Sequence, residues 1–221
     1  MARILITAGP TRAYVDDVRF LTNASSGRMA AALATAALAA GHEVTIVSGP
    51  VGIRYPLAAR VEPVVTTAEM LAACLAALPA ADGVIAAAAP CDFQPVRRAT
   101  GKIPRSGSHL TLDLEPTVDV VATLARRARQ GQWLVAFALE VGADPARAVA
   151  KVIAKRCDLV VCNDLPALES SRTAVAVYDP AGACVGSRSG TKRAVARWLI
   201  DLIDARLGPA GRRQGAGFPR R

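Results

Sequence analysis

The sequence predicts an α/β protein with a doubly wound, Rossmann-like and mostly parallel sheet, which carries a flap and ends in a C-terminal hairpin. Short β-branched or aliphatic runs alternate with alanine- and leucine-rich segments along the 221 residues, as expected for parallel strands joined by helices. The chain is also 52% apolar, which is enough to bury the core of one such domain. A single α/β domain is therefore the expected organisation.

Six strands are predicted for the parallel part, each with a β-branched or aliphatic centre. They are Arg3 to Ala8, Glu43 to Ser48, Val61 to Val65, Gly83 to Ala88, Trp133 to Ala138 and Leu159 to Asn163. Beyond Asn163 the pattern changes. Ala174 to Tyr178 and Ala183 to Gly186 flank the turn Asp179-Pro180-Ala181-Gly182, which predicts an antiparallel hairpin.

Four helices are predicted between and after these strands, each from a helix-start signal or an apolar period. The first, Met29 to Ala40, is rich in alanine and leucine. Thr66-x-x-Glu69 fits a capping box that opens a helix to Leu78, and Pro145 suits the first turn of a helix to Arg156. The last, Thr191 to Leu207, is amphipathic.

The C-terminal tail differs in composition from the rest of the chain. Four arginines of the tail contribute to the net charge of +9 and leave +5 for the remainder. The tail has no acidic residue and few apolar ones, so residues 1–207 are expected to form the domain and 208–221 a disordered basic tail. No aromatic-rich basic motif accompanies it, and no nucleic-acid partner is expected.

The cysteines and apolar stretches predict a cytoplasmic protein. The five cysteines form no CxxC pair, and an odd count without a leader sequence favours reduced thiols. No cluster of histidine, cysteine and acidic residues suggests bound metal ligands. The longest apolar stretches fall short of the roughly 20 residues that cross a bilayer, so no membrane partner is expected.

The loop between the first strand and the first helix predicts a phosphate site. It closes on Ser25-Ser26-Gly27 at the helix start, where unpaired amides and the helix dipole attract anions. The alternative is that a serine only caps the helix. The length of the loop favours function, because such connections usually take about 2 to 6 residues.

A second segment, Ala89 to Leu114, interrupts the alternation with proline, glycine and four basic residues, Arg97, Arg98, Lys102 and Arg105. It follows the carboxyl end of a predicted strand, where open α/β sheets bind their ligands. A mobile basic flap there could close over a polyphosphate. The alternative is a solvated surface loop.

Two common enzyme classes fit the sequence poorly. A dinucleotide-dependent oxidoreductase would need a GxGxxG turn and an acidic residue after the second strand, but that strand ends at Val47-Ser48-Gly49. A serine hydrolase would need a GxSxG elbow and a histidine. His42 and His109 accompany no such motif, and Cys91 has no histidine nearby in sequence, so it is interpreted as a packing residue.

Several segments, in the same order, resemble the phosphopantothenate-cysteine ligases (phosphopantothenoylcysteine synthetases) of coenzyme A biosynthesis. The resemblance runs from Ile4 to about Ile203. The matching segments are ILITAGPTR, VRFLTNASSGRMA, VTIVSGP, AAPCDFQP, Lys102-Ile103, VAFALE, the lysines Lys151 and Lys155, and DLVVCND. The chain opens directly on the ligase strand, so a free-standing synthetase is expected, with the flavin-dependent decarboxylase as a separate protein.

The resemblance implies a two-step, Mg²⁺-dependent reaction. The carboxylate of 4'-phosphopantothenate attacks the α-phosphate of a nucleoside triphosphate, which gives an acyl-nucleotide and pyrophosphate. The amine of cysteine then attacks the acyl carbon and releases the nucleoside monophosphate. CTP is expected rather than ATP, as in bacterial members, and a homodimer is expected because Arg19 resembles an arginine that reaches the neighbouring subunit's substrate.

The resemblance also implies roles for individual residues. Catalytic roles fall to Asn23 and Lys102, and no residue is implied as a metal ligand. Substrate binding is implied for Arg19, Asn23, Ala88, Ala89 and Asp92. Nucleotide binding is implied for Gly9, Ser25, Ser26, Gly27, Asp92, Lys102, Val118, Asp119, Phe137, Lys151 and Lys155. The alternatives are a capping asparagine, a turn-forming aspartate, solvated lysines and a core phenylalanine.

The chain departs from the family pattern at a few positions. Pro10 stands where the family commonly has a second glycine, and proline cannot donate a backbone N–H to a phosphate. Pro90-Cys91, KIPR at Lys102 and Val118-Asp119 are further departures. The alternative function is therefore a non-catalytic nucleotide- or ligand-binding relative that kept the fold.

Overall fold

A computed structural model of the chain describes residues 1–105, 107, 109–140, 150, 154–164 and 170–208. Most of the predicted helix to Arg156, including Pro145 and Lys151, and the tail from residue 209 onward lie outside these residues. No helix in the described ranges combines the length and apolar character needed to cross a membrane.

Twelve strands lie in the part of the chain that the structure describes. In chain order they are β1 Arg3–Ala8, β2 Arg12–Tyr14, β3 Phe20–Thr22, β4 Glu43–Ser48, β5 Arg60–Pro63, β6 Gly83–Ala86, β7 Phe93–Pro95, β8 Leu114–Pro116, β9 Trp133–Glu140, β10 Leu159–Asp164, β11 Arg172–Tyr178 and β12 Cys184–Thr191. Eight of them form one sheet in the order β12-β11-β10-β9-β6-β1-β4-β5. Strands β2 and β3 form one small hairpin, and β7 and β8 form another.

Six neighbouring strands of this sheet are parallel to one another: β10, β9, β6, β1, β4 and β5. Strands β11 and β12 join antiparallel at the β10 edge. From β1 the chain moves outward through β4 to β5, and it then returns to β6 on the other side of β1. The strand order therefore reverses between β1 and β6. In open α/β sheets, ligands bind outside the carboxyl ends of the strands at such a switch point.

Among the described residues, four α-helices of eight or more residues cover the two faces of the sheet. They are α1 Arg28–Ala39, α2 Thr67–Ala77, α3 Val120–Arg127 and α4 Lys192–Leu207. Helices α1 and α4 pack together over one face, and α2 and α3 over the other. Along β1 the buried side chains alternate between the two layers: Ile4 and Ile6 join the α1–α4 layer and Leu5 joins the α2–α3 layer.

The structure confirms the doubly wound, mostly parallel sheet and the C-terminal hairpin. Strand β6 ends at Ala86 rather than at Ala88, because the Ala87 amide turns back to the Ile85 carbonyl and the Ala88 amide donates to Thr7 Oγ1 (3.1 Å). Strand β5 begins and ends earlier than predicted, β9 extends to Glu140, and the C-terminal hairpin strands are longer.

Local capping signals account for the helix starts that the sequence made visible. The predicted capping box is present at α2: Thr66 accepts from the Glu69 amide, and the Glu69 side chain accepts from the Thr66 amide. Thr191 caps α4 through the Ala194 amide. Helix α3 was not among the predicted helices, and the two small hairpins were not predicted either, because their strands have only three residues each.

Candidate functional site

A cavity of about 120 Å³ opens at the carboxyl edge of the sheet, beside the switch point. It lies between the first turn of α1, the segment after β6, and the ends of β9 and β10. Six of the predicted site residues line it: Ser25, Ser26, Gly27, Ala88, Ala89 and Phe137. The structure therefore brings the predicted phosphate loop and two of the predicted substrate residues, Ala88 and Ala89, to one place.

The start of α1 is built around a glycine. Gly27 is the N-cap residue with φ +71°, and the Ala31 amide makes the first helical hydrogen bond, to the Gly27 carbonyl. A Cβ at Gly27 would lie 3.0 Å from Val51 Cγ1 and 3.1 Å from the Tyr55 hydroxyl. The N-cap of α1 is thus neither serine. Since amides in a first helical turn lack an intrahelical acceptor, this end of α1 is suited to an anion.

Asn23 connects the long loop to the end of β6. Its side-chain amide donates to the Pro90 carbonyl at 2.8 Å and to the Ala89 carbonyl at 3.3 Å. Both donor positions of the amide thus face backbone carbonyls. Donation to a developing oxyanion, which the resemblance implies for Asn23, requires that a substrate exchange one of these hydrogen bonds.

A second cavity, of about 300 Å³, adjoins the first one. Ser25 and Ser26 line both cavities, and Asn23, Pro10 and Arg12 line the second. The two cavities therefore form one cleft that runs from the start of α1 past Asn23 to the β2–β3 hairpin.

Gly9 and Pro10 adjoin this cleft from the end of β1. Gly9 has φ +71°, and a Cβ there would lie 2.7 Å from Val51 Cγ1. The Gly9 carbonyl accepts from the Ala89 amide at 2.9 Å. Pro10 pairs with Ala89 in an isolated parallel bridge, so its missing N–H costs no hydrogen bond in that bridge.

Cys91 forms part of a buried polar cluster beneath the cleft. The residue is 5% exposed, and its thiol donates to the Thr11 carbonyl at 3.3 Å. The Cys91 amide donates to Thr11 Oγ1, and its carbonyl accepts from the Thr117 hydroxyl at 2.6 Å. These bonds hold the segment after β6 against the long loop, which supports the interpretation of Cys91 as a packing residue.

Asp119 and Lys155, both with implied nucleotide roles, form an ion pair at the start of α3. Lys155 Nζ lies 2.8 Å from Asp119 Oδ2, while Asp119 Oδ1 accepts from the Ala122 amide and caps α3. Val118 is exposed, and so is Asp92, whose carbonyl accepts from the Thr117 amide. This group belongs to the α3 side of the sheet, whereas the start of α1 lies on the opposite side. Lys151, their expected companion, is outside the described residues.

The flap is fastened to the β2–β3 hairpin by two aspartates. Asp16, fully buried, accepts from the Val18, Arg19 and Ile103 amides and from the Arg19 guanidinium. Burial disfavours its ionisation, but these amides and the guanidinium together lower the pKa of Asp16 below its ordinary value. Asp17 accepts from the Gly101 amide and from Arg98, which also lower its pKa. We call these contacts the Asp16–Asp17 latch.

The latch places Lys102 and Arg19 away from the two cavities of the cleft. Lys102 is exposed, and none of the described residues makes a hydrogen bond or ion pair with it. Arg19 donates to Asp16 Oδ2 and to the Ile103 carbonyl. Neither residue lines either cavity. In this structure the two implied cationic groups therefore lie on the flap side, not at the start of α1.

Sequence reasoning missed eight residues that line the first cavity: Arg28, Met29, Ala30, Ala87, Leu139, Asn163, Thr173 and Lys192. Asn163 lies in the DLVVCND segment, which offered a signal. Lys192 offered none, because a lysine in the first turn of an amphipathic helix ordinarily faces water. In the structure Lys192 is 8% exposed, and burial and the nearby charge of Arg28 lower its pKa.

Two named proteins are similar to this chain in sequence. The chain is 42% identical over 164 residues to a cysteine/cysteine sulfinic acid decarboxylase from an unidentified prokaryote, covering 74% of this chain and 46% of that protein. It is 41% identical over 165 residues to the coenzyme A biosynthesis bifunctional protein CoaBC of Bacillus subtilis (strain 168), covering 74% of this chain and 40% of that protein. The chain thus spans less than half the length of these relatives.

A solved structure of the C-terminal domain of CoaBC matches nearly the whole chain. It superposes with a TM-score of 0.79 at 34% identity and covers 93% of this chain and 95% of that domain. The match confirms both the Rossmann-like fold and the resemblance to the family. Residues 1–207 also match the sequence pattern of a known domain family. The chain therefore belongs to the DNA/pantothenate metabolism flavoprotein C-terminal domain family, the family of the CoaBC C-terminal domain.

Proposed function

We propose that the chain is a nucleotide-dependent ligase that joins 4'-phosphopantothenate to cysteine in coenzyme A biosynthesis. The observation that carries this proposal is the cleft at the switch point, where Ser25, Ser26, Gly27, Ala88, Ala89 and Phe137 come together in a chain of this family. The name of the Bacillus subtilis relative supports the pathway. Its full length includes a region that this chain does not match. We assign the ligase step to the matched region because its segments are the ones that resemble the phosphopantothenate-cysteine ligases.

The chemistry suits a site that is poor in titrating side chains. In the first step, the pantothenate carboxylate oxygen bonds to the α-phosphorus and the bond to the pyrophosphate oxygen breaks. In the second, the cysteine nitrogen bonds to the acyl carbon, the bond from that carbon to the nucleotide phosphate oxygen breaks, and the amine proton passes to water as the nucleoside monophosphate leaves. Both steps develop negative charge on oxygen, which backbone amides and cations stabilise without proton transfer.

Asn23 is the residue best placed to act on the acyl group. It lines the second cavity, two residues before Ser25, which lines both, and it contacts the Ala89 and Pro90 carbonyls. A substrate carboxyl that replaces one of these carbonyls would accept from the same amide nitrogen. The side chain would then stabilise the acyl-nucleotide without a change of its own charge.

Asp119 and Lys155 are proposed as nucleotide contacts on the α3 side, together with Val118, Asp92 and Lys151. The Lys155–Asp119 pair holds the lysine beside the start of α3. Lys102 would reach the triphosphate when the flap moves, because none of the described residues engages its ammonium. A mobile point charge of this kind can follow a departing pyrophosphate.

A divalent cation would enter with the nucleotide phosphates. The described residues contain no group of three or more histidine, cysteine or acidic side chains that could hold a metal ion by themselves. Mg²⁺ bound to phosphates needs only one or two carboxylates. Asp92 is exposed in the segment after β6 and fits that need. The ion would neutralise charge on the phosphate oxygens.

Further parts of the proposal concern the nucleotide, the assembly and the setting. CTP is proposed over ATP. A homodimer is proposed because the two small hairpins expose large apolar side chains that a second copy would cover: Phe20, Phe93, Val96 and Leu114. The protein would act in the cytoplasm, where a flavin-dependent decarboxylase consumes the product.

The second candidate is a binding relative without turnover, favoured by Pro10 and by the occupied donors of Asn23.

The decisive experiment measures pyrophosphate release by the purified chain. We expect release from CTP that requires 4'-phosphopantothenate, with nucleoside monophosphate formed only when cysteine is added. A parallel assay with ATP tests the nucleotide preference. Binding of phosphopantothenate and CTP without release of pyrophosphate would instead support the non-catalytic relative.

A further inference from the structure

Lys192 occupies an unusual position for a lysine. It is the first residue of α4, after the cap Thr191, and its backbone amide donates to the Ser171 carbonyl at 2.9 Å. The residue is 8% exposed, and its side chain lines the cavity at the start of α1 together with Arg28. A lysine is rarely buried to this extent unless it has a partner.

The chain supplies no such partner among the described residues. No hydrogen bond or ion pair engages the Lys192 ammonium in that part of the chain, and no acidic residue lies in the first turn of α4. Burial and the charge of Arg28 lower the pKa of Lys192. A buried ammonium without a counterion is unfavourable for folding. An anion that binds beside Lys192 would explain why a lysine occupies this buried position.

The surroundings of Lys192 reinforce the need for negative charge. The first turn of α1 and the first turn of α4 both border the cavity, and each is the positive end of a helix dipole. Arg28 adds a second cation, while the Ser25 and Ser26 residues contribute hydroxyl groups to the lining. Two helix starts and two cations thus converge on one small space.

The size and place of this space indicate which anion it would take. About 120 Å³ is well below the roughly 300 to 1,000 Å³ of pockets for drug-sized ligands, so the cavity suits a phosphate group rather than a nucleotide. The implied nucleotide residues Asp119 and Lys155 are on the α3 side of the sheet, and Lys192 is on the α1–α4 side. The adjoining cavity at Asn23 leaves room for the rest of a substrate.

We propose that Lys192, with the first turn of α1, binds the phosphate monoester of the acid substrate. The inference rests on the proposed function for the identity of that substrate. It assigns Ser25, Ser26 and Gly27 to binding the phosphate of the acid instead of the nucleotide. The acid would then lie along the cleft, with its phosphate at Lys192 and its carboxyl group near Asn23, facing the nucleotide.

The test is a kinetic comparison of Lys192→Gln with Arg193→Gln. Arg193 is the exposed neighbour in the same helical turn and lines neither cavity of the cleft, so it controls for loss of charge. We expect Lys192→Gln to raise the KM for 4'-phosphopantothenate about 10- to 100-fold, with the KM values for CTP and cysteine unchanged. An unchanged KM for phosphopantothenate, or an increase confined to CTP, would overturn the proposal.

A binding experiment separates this proposal from the proposed function. In calorimetry without nucleotide, the wild-type protein should bind 4'-phosphopantothenate more tightly than pantothenate, and Lys192→Gln should lose that preference. Inorganic phosphate, followed by ³¹P NMR, should bind the wild type and the Arg193→Gln variant but not Lys192→Gln. Phosphate binding that depends on Lys192 in a protein without pyrophosphate release would reject the ligase and retain the anion site.

A second variant covers the case in which glutamine disrupts folding. Lys192→Met keeps the apolar stem and removes the charge, so it should unfold at the same or a higher temperature than the wild type. Added phosphate should raise the unfolding temperature of the wild type and not that of Lys192→Met. An equal rise in both proteins would contradict a role for the ammonium.

Discussion

The start of α1 and the flap, both parts of the proposed site, are held in place by different kinds of interaction. Helix α1 is anchored by packing: Leu33, Ala34 and Ala37 are fully buried in the layer that it shares with α4. The flap exposes most of its large apolar residues, such as Phe93 and Leu110. It is attached to the β2–β3 hairpin mainly through the polar contacts of Asp16 and Asp17.

This difference indicates how the work of the site is divided. Close packing gives the start of α1 a single arrangement, which suits a group that must hold a phosphate at a fixed place. A polar latch is weaker and can be exchanged, which suits the movement that we propose for the flap when a nucleotide enters. Substitutions at α1 should therefore change the site itself, and substitutions at the latch should change only the movement of the flap.

The largest expected effect comes from Asn23, where the two regions adjoin. Asn23→Ala should abolish product formation, with a loss of about 100- to 1,000-fold or more in kcat, because an oxyanion donor is removed. The fold should remain intact, since Asn23 is exposed. Turnover and pyrophosphate release are measured in parallel with thermal unfolding.

Gln94→Ala is the matched control for Asn23→Ala. Gln94 is also an exposed amide, and it donates to Glu115 within the β7–β8 hairpin. Its removal should leave kcat nearly unchanged. Normal turnover by Asn23→Ala would exclude the proposed role of Asn23.

The next effect tests the rigidity of the start of α1. Gly27→Ala should destabilise the fold by about 1 to 3 kcal/mol, because Gly27 has φ +71° and a Cβ would lie 3.0 Å from Val51 Cγ1. Gly52→Ala, where a Cβ meets nothing within 4 Å, should be nearly neutral. Urea unfolding compares the two. Equal stabilities would mean that the start of α1 relaxes easily.

A smaller effect is expected at the latch. Asp16→Asn replaces an acceptor that faces the Ile103 amide and the Arg19 guanidinium, so the flap should open more often. Hydrogen exchange should become faster at Ile103, while the amides of β1 keep their protection. Asp82→Asn breaks the exposed pair with Arg3 and should leave flap exchange unchanged. Slow exchange at Ile103 in Asp16→Asn would show that other contacts hold the flap.

The smallest effect is the dependence of the latch on pH. The pKa values of Asp16 and Asp17 are lowered in the folded state. Their stabilisation is therefore complete above the ordinary value of 3.8 and is lost as the pH falls through the lower folded-state values. Exchange at Gly101 and Ile103 should accelerate in this range before global unfolding. Simultaneous loss of protection in β1 would indicate that the latch does not open separately.

The capping and strand patterns show which parts of the fold were predictable. Ile4, Leu5 and Ile6 formed the predicted buried strand, and Thr66 with Glu69 formed the predicted capping box. These patterns act between residues a few positions apart, so they are visible in the sequence. At the end of β6 the predicted bound failed because a distant group intervened: Thr7 accepts from the Ala88 amide.

The site was predictable only in part. The loop at Ser25 to Gly27 and the alanines after β6 could be recognised, because their motifs are contiguous and resemble a known family. The latch could not be predicted, since Asp16 and Ile103 are 87 residues apart. The pairing of Asp119 with Lys155 depends in the same way on distant segments of the chain.

The sequence by itself determined the alternation of strands and helices, the start of α1 and the family, since each depends on the order of neighbouring residues. Only the tertiary structure decided that Lys192 lies in a cavity beside Arg28 and the first turn of α1. The physical reason is that burial and electrostatic potential depend on the packing of α4 against α1. A lysine in a helical pattern carries no sign of that packing.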